Sequence, residues 1–485
     1  MMAYRHGVYV SEVPTSVSPP VEASAGLPVV VGTAPIHLAE TQEYVNKPLL
    51  AYTYEEAVKA LGYSANWKNY TLCEVIKSQF QLFGVGPVVF INVLDPARHK
   101  KSVTAETVNL DAKGQATLQK DGVLLSTVKV KSSDGQTTYE RDVDYTLAFN
   151  DKGQAVVARI PDGNIPAGAS LNVDYDHLDA SAVTAADIIG GVDGVTGKLT
   201  GLELVNAVFP LFRLVPGQIL APGWSHDPTV AAVMVVKASN INGLFKAVAV
   251  TDVDSSAVKR YSEVPAWKND NNYTSSYQVV CWPKVKLGDE VYHLSTQFAG
   301  VVSLTDSNND DIPYVSPSNK NLQANGAVID SGEEVTLAPD QASYINGEGV
   351  VTALNFIGGW KLWGNRTGAY PAITDVKDSF IAVRRMFNWI ANTLILTYWQ
   401  HVDDPTNRRL IDTVVDSVNI WLNGLTARGA LLGGRIEFRR DENPETDLLD
   451  GIVRFHIFVT PPVPAREFDF ILEFDVSYLQ SLFAA

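Results

Sequence analysis

The segment that follows Pro461-Pro462-Val463-Pro464 constrains this chain more than any other. It reads Glu467-Phe468-Asp469-Phe470-Ile471-Leu472-Glu473-Phe474-Asp475. By the two-residue period of a strand, Phe468, Phe470, Leu472 and Phe474 share one face. Asp469, Glu473 and Asp475 share the other, with Ile471 the exception. An amphipathic strand of this kind needs a sheet to cover its apolar face, and a free one is an aggregation hazard. The opposite end is built alike. Gly7-Val8-Tyr9-Val10 is strand-forming, and Pro14, Pro19 and Pro20 separate it from the body. Terminal strands on proline tethers are poorly placed to return to their own core and well placed to join a sheet in a neighbouring copy. The alternative is that each is an ordinary edge strand of its own subunit.

Between these arms (residues 1–25 and 465–485) the pattern divides the chain. Residues 27–33 and 88–94 are continuous apolar runs, as buried strands are. Residues 54–61 and 72–83 between them carry helical spacing, ended by Gly62 and by Gly84. Strand, helix, helix, strand is an α/β pattern, assigned here to residues 26–100. Between 101 and 179 it gives way to short alternating runs separated by turns such as Asp121-Gly122, Asp134-Gly135 and Asp162-Gly163, which predicts an inserted all-β module. Helical and strand signals resume over 180–370: a helix over 199–212, a strand ending at Gly223, a helix after Asp227-Pro228, a buried strand over 245–250 and a helix over 294–303.

Residues 371–464 read as an α+β domain. Phe380, Val383, Phe387, Ile390 and Leu394 form the stripe of a long helix capped by Asp375. A second helix is expected over 405–423, with Leu410, Ile411, Val414, Val418, Trp421 and Leu422 buried and Gly424 as its stop. Strands follow at 434–438 and 452–459, the latter alternating Val453, Phe455, Ile457 and Val459 with Arg454, His456 and Phe458. Two strands on two helices form a sheet that needs more strands for stability.

Composition limits the chemistry. The chain has 485 residues, enough for roughly two to four domains, and carries 38 basic against 54 acidic residues, a formal charge of −16. Such a balance argues against a nucleic-acid surface and favours charge-tuned protein contacts. No apolar run has transmembrane length, and the N-terminus lacks the order of a signal peptide. Cys73 and Cys281 have no motif spacing. Nucleotide-binding, nucleophile-elbow, zinc-protease and paired-cysteine motifs are all missing. Ser225-His226-Asp227 places triad residue types side by side, but neighbours on one chain cannot converge as a relay does. A loop and a helix cap are the expected reading. Asp310-Asp311 and Asp403-Asp404 lack calcium-loop spacing and read as solvated loops. No catalytic residue, cofactor or metal site is expected.

Several motifs nevertheless occur in a recognisable order. They are Gly7 to Val13, Val31-Gly32-Thr33-Ala34, Tyr54 to Val58, Gly347 to Val351, Trp363 to Thr367, Val383 to Trp389, Gly429 to Gly434, Asn443-Pro444, Gly451-Ile452-Val453 and the Pro461-Pro462 exit. In that order the chain resembles contractile tail sheath proteins of bacteriophages and of phage-tail-like particles such as the R-type pyocins. Only the 101–179 region lies outside the resemblance. The resemblance implies a subtilisin-like α/β core without protease activity, a C-terminal domain stacked inward on a tail tube, and exchanged terminal arms. Val8, Tyr9, Val10, Phe468, Phe470, Leu472 and Phe474 would be the donor residues, and Val453, Phe455, Ile457 and Val459 the acceptor sheet. Arg408 and Arg409, off the apolar stripe of their helix, are the tube-facing candidates. Implied partners are other copies of the chain, the tail tube protein, and baseplate and tail terminator proteins. The particle would assemble in the bacterial cytoplasm. Two other readings stay open on the residues alone: a hydrolase using Ser225 or His226, and a surface-binding particle protein acting through residues 101–179.

Overall fold

The computed structural model describes residues 24–483. Its centre is a nine-stranded sheet. Six neighbouring strands are parallel: Val350–Asn355, Gln278–Cys281, Val248–Asp252, Gln218–Leu220, Pro28–Gly32 and Val88–Asn92. Every residue of the last five is buried. A parallel strand buried on both faces reads as an unbroken apolar run, as Val29-Val30-Val31 and Val88-Val89-Phe90-Ile91 do, because both faces are covered. Helices Pro228–Ser239 and Leu294–Ser307 pack against these strands. Chain order reverses between Pro28–Gly32 and Gln218–Leu220, the arrangement of a doubly wound α/β sheet. Short antiparallel strands end the sheet: Trp360–Trp363 and Lys320–Asn321 on one side, Leu49–Ala51 on the other.

Residues 100–178 form two three-stranded antiparallel sheets, one around Ser170–Leu178 and one around Ala155–Arg159. They enclose an apolar cluster of their own, including Val130, Val157, Leu171 and Val173.

Three helices are broken or change type where the pattern reading has them continuous. The 72–83 helix is α-helical over Thr71–Ile76 and then widens to a π-helix over Lys77–Phe83. Gly300 explains the close fit there: a Cβ on it would lie 2.2 Å from the Phe83 ring. The 199–212 helix opens as a 3-10 turn, Gly201–Leu204, before Val205–Phe212. The long C-terminal helix is interrupted. Asp375 caps only Val376–Ser379, Phe380 is extended, and the helix restarts as Ile381–Tyr398. The break is held from outside. The Ile381 N–H donates to the Asn365 carbonyl at 3.0 Å, and the Arg366 guanidinium lies 3.6 Å from the Phe380 ring centre.

Helix Ile381–Tyr398 joins the C-terminal elements to the large sheet by polar contacts. Asn392 accepts from the Lys246 N–H at 2.9 Å and donates to its carbonyl at 2.8 Å, and Asn388 donates to the Ala247 carbonyl at 3.0 Å. Arg385 is fully buried and ion-paired with buried Asp306, and it also donates to the Ala25 carbonyl at 3.1 Å.

Candidate interface at the C-terminal hairpin

Strands Gly433–Glu437 and His456–Thr460 form a two-stranded antiparallel sheet, with Ile436 opposite Ile457 and Glu437 opposite His456. It rests on helix Arg408–Ala427. The two edges of this hairpin differ. Asn419, on the helix, accepts from the Ile436 N–H at 3.0 Å and donates to its carbonyl at 3.5 Å. Ile436 therefore turns its backbone groups toward the helix and away from the partner strand. In an antiparallel pair the residue opposite then turns its own groups outward. By this alternation the N–H and C=O of Ile457 and Val459 face the free edge.

The expected strand over 452–459 is shorter than the pattern suggested and begins at His456. Asn443 is the reason. Its amide donates to the carbonyls of Arg439 at 2.7 Å and Arg454 at 2.9 Å, and accepts from the Arg454 N–H at 2.8 Å. A side chain thus stands where the next ladder pair would be, so Val453 and Phe455 lie outside the strand. Both still line an apolar groove of about 620 Å³ with Ile457, Ile436 and the helix residues Leu394, Leu410 and Val414. Val459 lies outside that groove, with its side chain close to Gly434. Three of the four acceptor candidates are therefore brought together.

The strand expected over 468–476 is not formed in the single chain. Residues 461–475 carry no regular structure. Phe468 is 77% exposed, Phe470 82%, Leu472 95% and Phe474 78%, so an entire apolar face has no cover. A strand is defined by its partner, and among the described residues there is none. Val8, Tyr9 and Val10 lie outside the described residues.

Helix Arg408–Ala427 starts three residues later than expected and runs through Gly424. Asn407 caps it, accepting from the Leu410 N–H at 3.0 Å. Leu425 is buried one residue past the glycine, which carries the helix on. Arg408 and Arg409 occupy its first turn, which has no acidic residue. Positive charge there opposes the helix dipole, so local stability does not account for it. Arg408 is offset by Asp412, 2.9 Å away one turn on. Arg409 is exposed and forms no ion pair among the described residues.

The triad-type residues do not converge. Ser225 is buried with its Oγ 3.2 Å from the Asp252 carboxylate, His226 is exposed, and Asp227 caps helix Pro228–Ser239 by accepting from the Thr229 N–H at 2.8 Å. Nothing in the sequence pattern pointed to the neighbouring pair of buried Glu74 and half-buried His293. They lie in a cleft of about 800 Å³ at the carboxyl ends of the parallel strands. Glu74 accepts from the His293 N–H at 2.7 Å and contacts its Nδ1 at 2.8 Å. Burial pulls the His293 imidazole down, but the charge and hydrogen bond of Glu74 outweigh it and the pKa is raised. Asp252 accepts from the Ser295 N–H at 3.0 Å. Both carboxylates therefore serve the open N–H groups at the start of helix Leu294–Ser307, a capping task done from other elements.

The chain thus combines a nine-stranded α/β core, a two-stranded hairpin and an exposed apolar segment. No protein-family model matches the chain. It is 29% identical over 501 residues to the tail sheath protein of Burkholderia phage BcepMu, which takes in 99% of this chain and 98% of that one. The fold is similar to a chain in the baseplate of the anti-feeding prophage, with a TM-score of 0.58 at 14% identity, covering 98% of this chain and 100% of the other. It is equally similar to a chain of the PVC sheath complex, an extracellular contractile injection system in its contracted state, at 0.58 and 13% identity with 98% and 99% covered. The chain is therefore similar to that tail sheath protein along its whole length, and it shares its fold with these two solved chains.

Proposed function

We propose that this protein is the structural subunit of a contractile tail sheath. It polymerises helically around a tail tube and shortens from a metastable extended state, driving the tube through a target envelope. The observation that carries the reading is the pairing of opposites on one chain. The outward backbone groups of Ile457 and Val459 lie beside an apolar groove, and the segment 468–474 has an apolar face with nothing to cover it. A strand from a neighbour would satisfy the first and bury the second. In this reading Phe468, Phe470, Leu472 and Phe474 of one copy, and Val8, Tyr9 and Val10 of another, extend the hairpin of a third. The proline tethers act as hinges, so subunit bodies re-pack during contraction without breaking the mesh. The energy is stored in the lattice and no nucleotide is required.

The finer points follow from the same reading. The doubly wound core is subtilisin-like in form and not an enzyme; the separate tasks of Ser225, His226 and Asp227 support this. Residues 101–179 decorate the outer surface. Helix Arg408–Ala427 faces the tube, with Arg408 and Arg409 toward carboxylates of the tube protein. Baseplate and tail terminator proteins meet the ends of the polymer, and assembly occurs in the bacterial cytoplasm. Among the described residues no helix is long and apolar enough to cross a membrane. Negative-stain microscopy of the purified protein tests the reading. Striated tubes or stacked rings are expected, and monomers that persist at high concentration, alone and with the tube protein, would overturn it.

A further inference from the structure

Residues 100–178 hang from the core by their first and last strands, Lys100–Asn109 and Ser170–Leu178. Leu124 of the region packs into the main core cluster, and a hairpin makes a further non-covalent attachment. The hairpin of Tyr145–Phe149 and Ala155–Arg159 reaches back to the 3-10 turn Ile36–Leu38, just after the core strand Pro28–Gly32. The Phe149 ring centre is 5.6 Å from that of the His37 imidazole, edge to face at 75°, and Tyr70 of the core lies at 6.0 Å. At the hairpin tip, a Cβ on Gly153 would be 3.2 Å from Leu38 Cδ1. The tip is a preformed turn: Asn150 Oδ1 accepts from the N–H groups of Lys152 and Gln154, both at 3.0 Å. It can therefore leave and return as a unit. His37 is 8% exposed, and its Nδ1 has no hydrogen-bond partner.

We propose that His37 is a pH-sensitive latch. While its imidazole is neutral it holds the hairpin against the core, and protonation releases the hairpin so that the β-rich region loosens from the core. A neutral ring between two aromatic side chains loses little by burial. An imidazolium there must shed its water and finds no carboxylate bonded to it in return. The titratable groups on the surrounding elements do not supply one. Tyr70 stays protonated, its pKa raised first by burial and then by Asp121. Glu40, beyond the turn, is engaged with Lys59 at 3.1 Å. Asp151 and Lys152 at the tip are exposed and of opposite charge. Burial lowers the His37 pKa from 6.5 to about 4. The sign follows: docking is at full strength above the free value of 6.5 and weakens as pH falls toward the docked value. The inference does not depend on the sheath reading.

Hydrogen exchange of the full chain, read by mass spectrometry at about pH 7 and about pH 5 and corrected for intrinsic rates, tests the latch. The population with an open tip, read on peptides spanning 145–159, should rise roughly 20-fold between the two. Core strand Val88–Asn92 should keep its protection. H37F should abolish the rise while leaving the tip protected at neutral pH. Should that variant misfold, F149A provides the second test, with a tip open at both pH values on an intact core. Equal protection of the wild-type tip at both pH values would overturn the proposal. So would a rise that persists in H37F, a tip that stays pH-dependent in F149A, or loss of core protection in parallel with the tip.

Discussion

The nine-stranded sheet and the C-terminal hairpin solve the same problem in opposite ways. Both are made of short strands, and both have edges whose backbone groups need partners. The large sheet ends on one side in Lys320–Asn321, two residues long, and on the other in Leu49–Ala51, three residues long. Edges that short offer little to a passing strand. The hairpin does the reverse. One of its edges is occupied by Asn419 and the other presents Ile457 and Val459 with an apolar groove beside them. The contrast teaches that the open edge is not what a careless fold leaves behind, because both edges of the large sheet in the same chain are blunted. In the proposed reading, stability sits in the core and assembly is delegated to the small sheet.

The strongest way to break this comparison is to remove what the hairpin lacks. Deleting residues 467–485 should leave a cooperatively folded, soluble subunit, since residues 468–474 touch no core in the single chain. Polymers should vanish from electron micrographs. A truncated chain that unfolds would mean that the segment serves its own subunit, and ordered contractile tubes without it would remove the basis for strand exchange.

The converse test strikes the core from inside. Arg385 and Asp306 are both fully buried, and their Nη1 and Oδ1 atoms are 3.1 Å apart. Burial raises the Asp306 pKa even against the opposing pull of Arg385. R385A leaves that carboxyl without its charge partner and should cost about 3–5 kcal/mol of stability, read from urea denaturation. Assembly should then fail for want of folded subunits, which distinguishes it from the truncation. An unchanged denaturation midpoint would show that the junction of helix Ile381–Tyr398 with the core is held by its other contacts.

These regions also differ in how legibly they were written. The core strands at 28–32 and 88–92 announced themselves, because a strand buried on both faces must be apolar throughout. Gln278–Cys281 and Val350–Asn355 escaped, since Gln278 and Thr352 interrupt the apolar run while their side chains are buried in the sheet. Tertiary contacts override propensity at such places. Around the hairpin, the residue types of the groove were legible from their stripes. The Phe380 break and the start of the second strand at His456 were not. Each is set by contacts from outside the element, those of Asn365 and Arg366 in one case and of the Asn443 amide in the other, and no period records these. The amphipathic pattern of the arm was legible because it is local; the partner that would make it a strand is not.

A narrower test leaves every residue in place but one. In the hairpin register the Ile457 N–H points away from Gly433–Glu437, so I457P removes an outward donor without breaking a bond of the ladder. F458P, one residue on, removes an inward donor. The first should melt close to the wild type and fail to polymerise, having lost about 1 kcal/mol of hydrogen bonding at each contact and gained a ring that obstructs the incoming strand. The second should lower the melting temperature of the subunit as well. If both assemble normally, strands are not added at this edge.

The smallest effect is expected at the start of helix Arg408–Ala427, where the comparison narrows to two adjacent arginines. Arg408 is already offset by Asp412 at 2.9 Å, and Arg409 is exposed without an ion pair among the described residues. If this helix meets the tube through charge, Arg409 is the one with a guanidinium to spare. Each exposed pair contributes only ~0–1 kcal/mol, a strength that holds a tube through many copies and still releases it during contraction. R409E should therefore reduce co-sedimentation of tube and sheath steeply with added salt, since screening weakens what remains. It should slightly stabilise the subunit, because a carboxylate in the first turn suits the helix dipole. R408E places its new carboxylate one turn from Asp412 and should lose stability instead. Equal tube binding by wild type and R409E at low salt would take the charge contact away from this helix turn, and the arginines would then be no more than a solvated face.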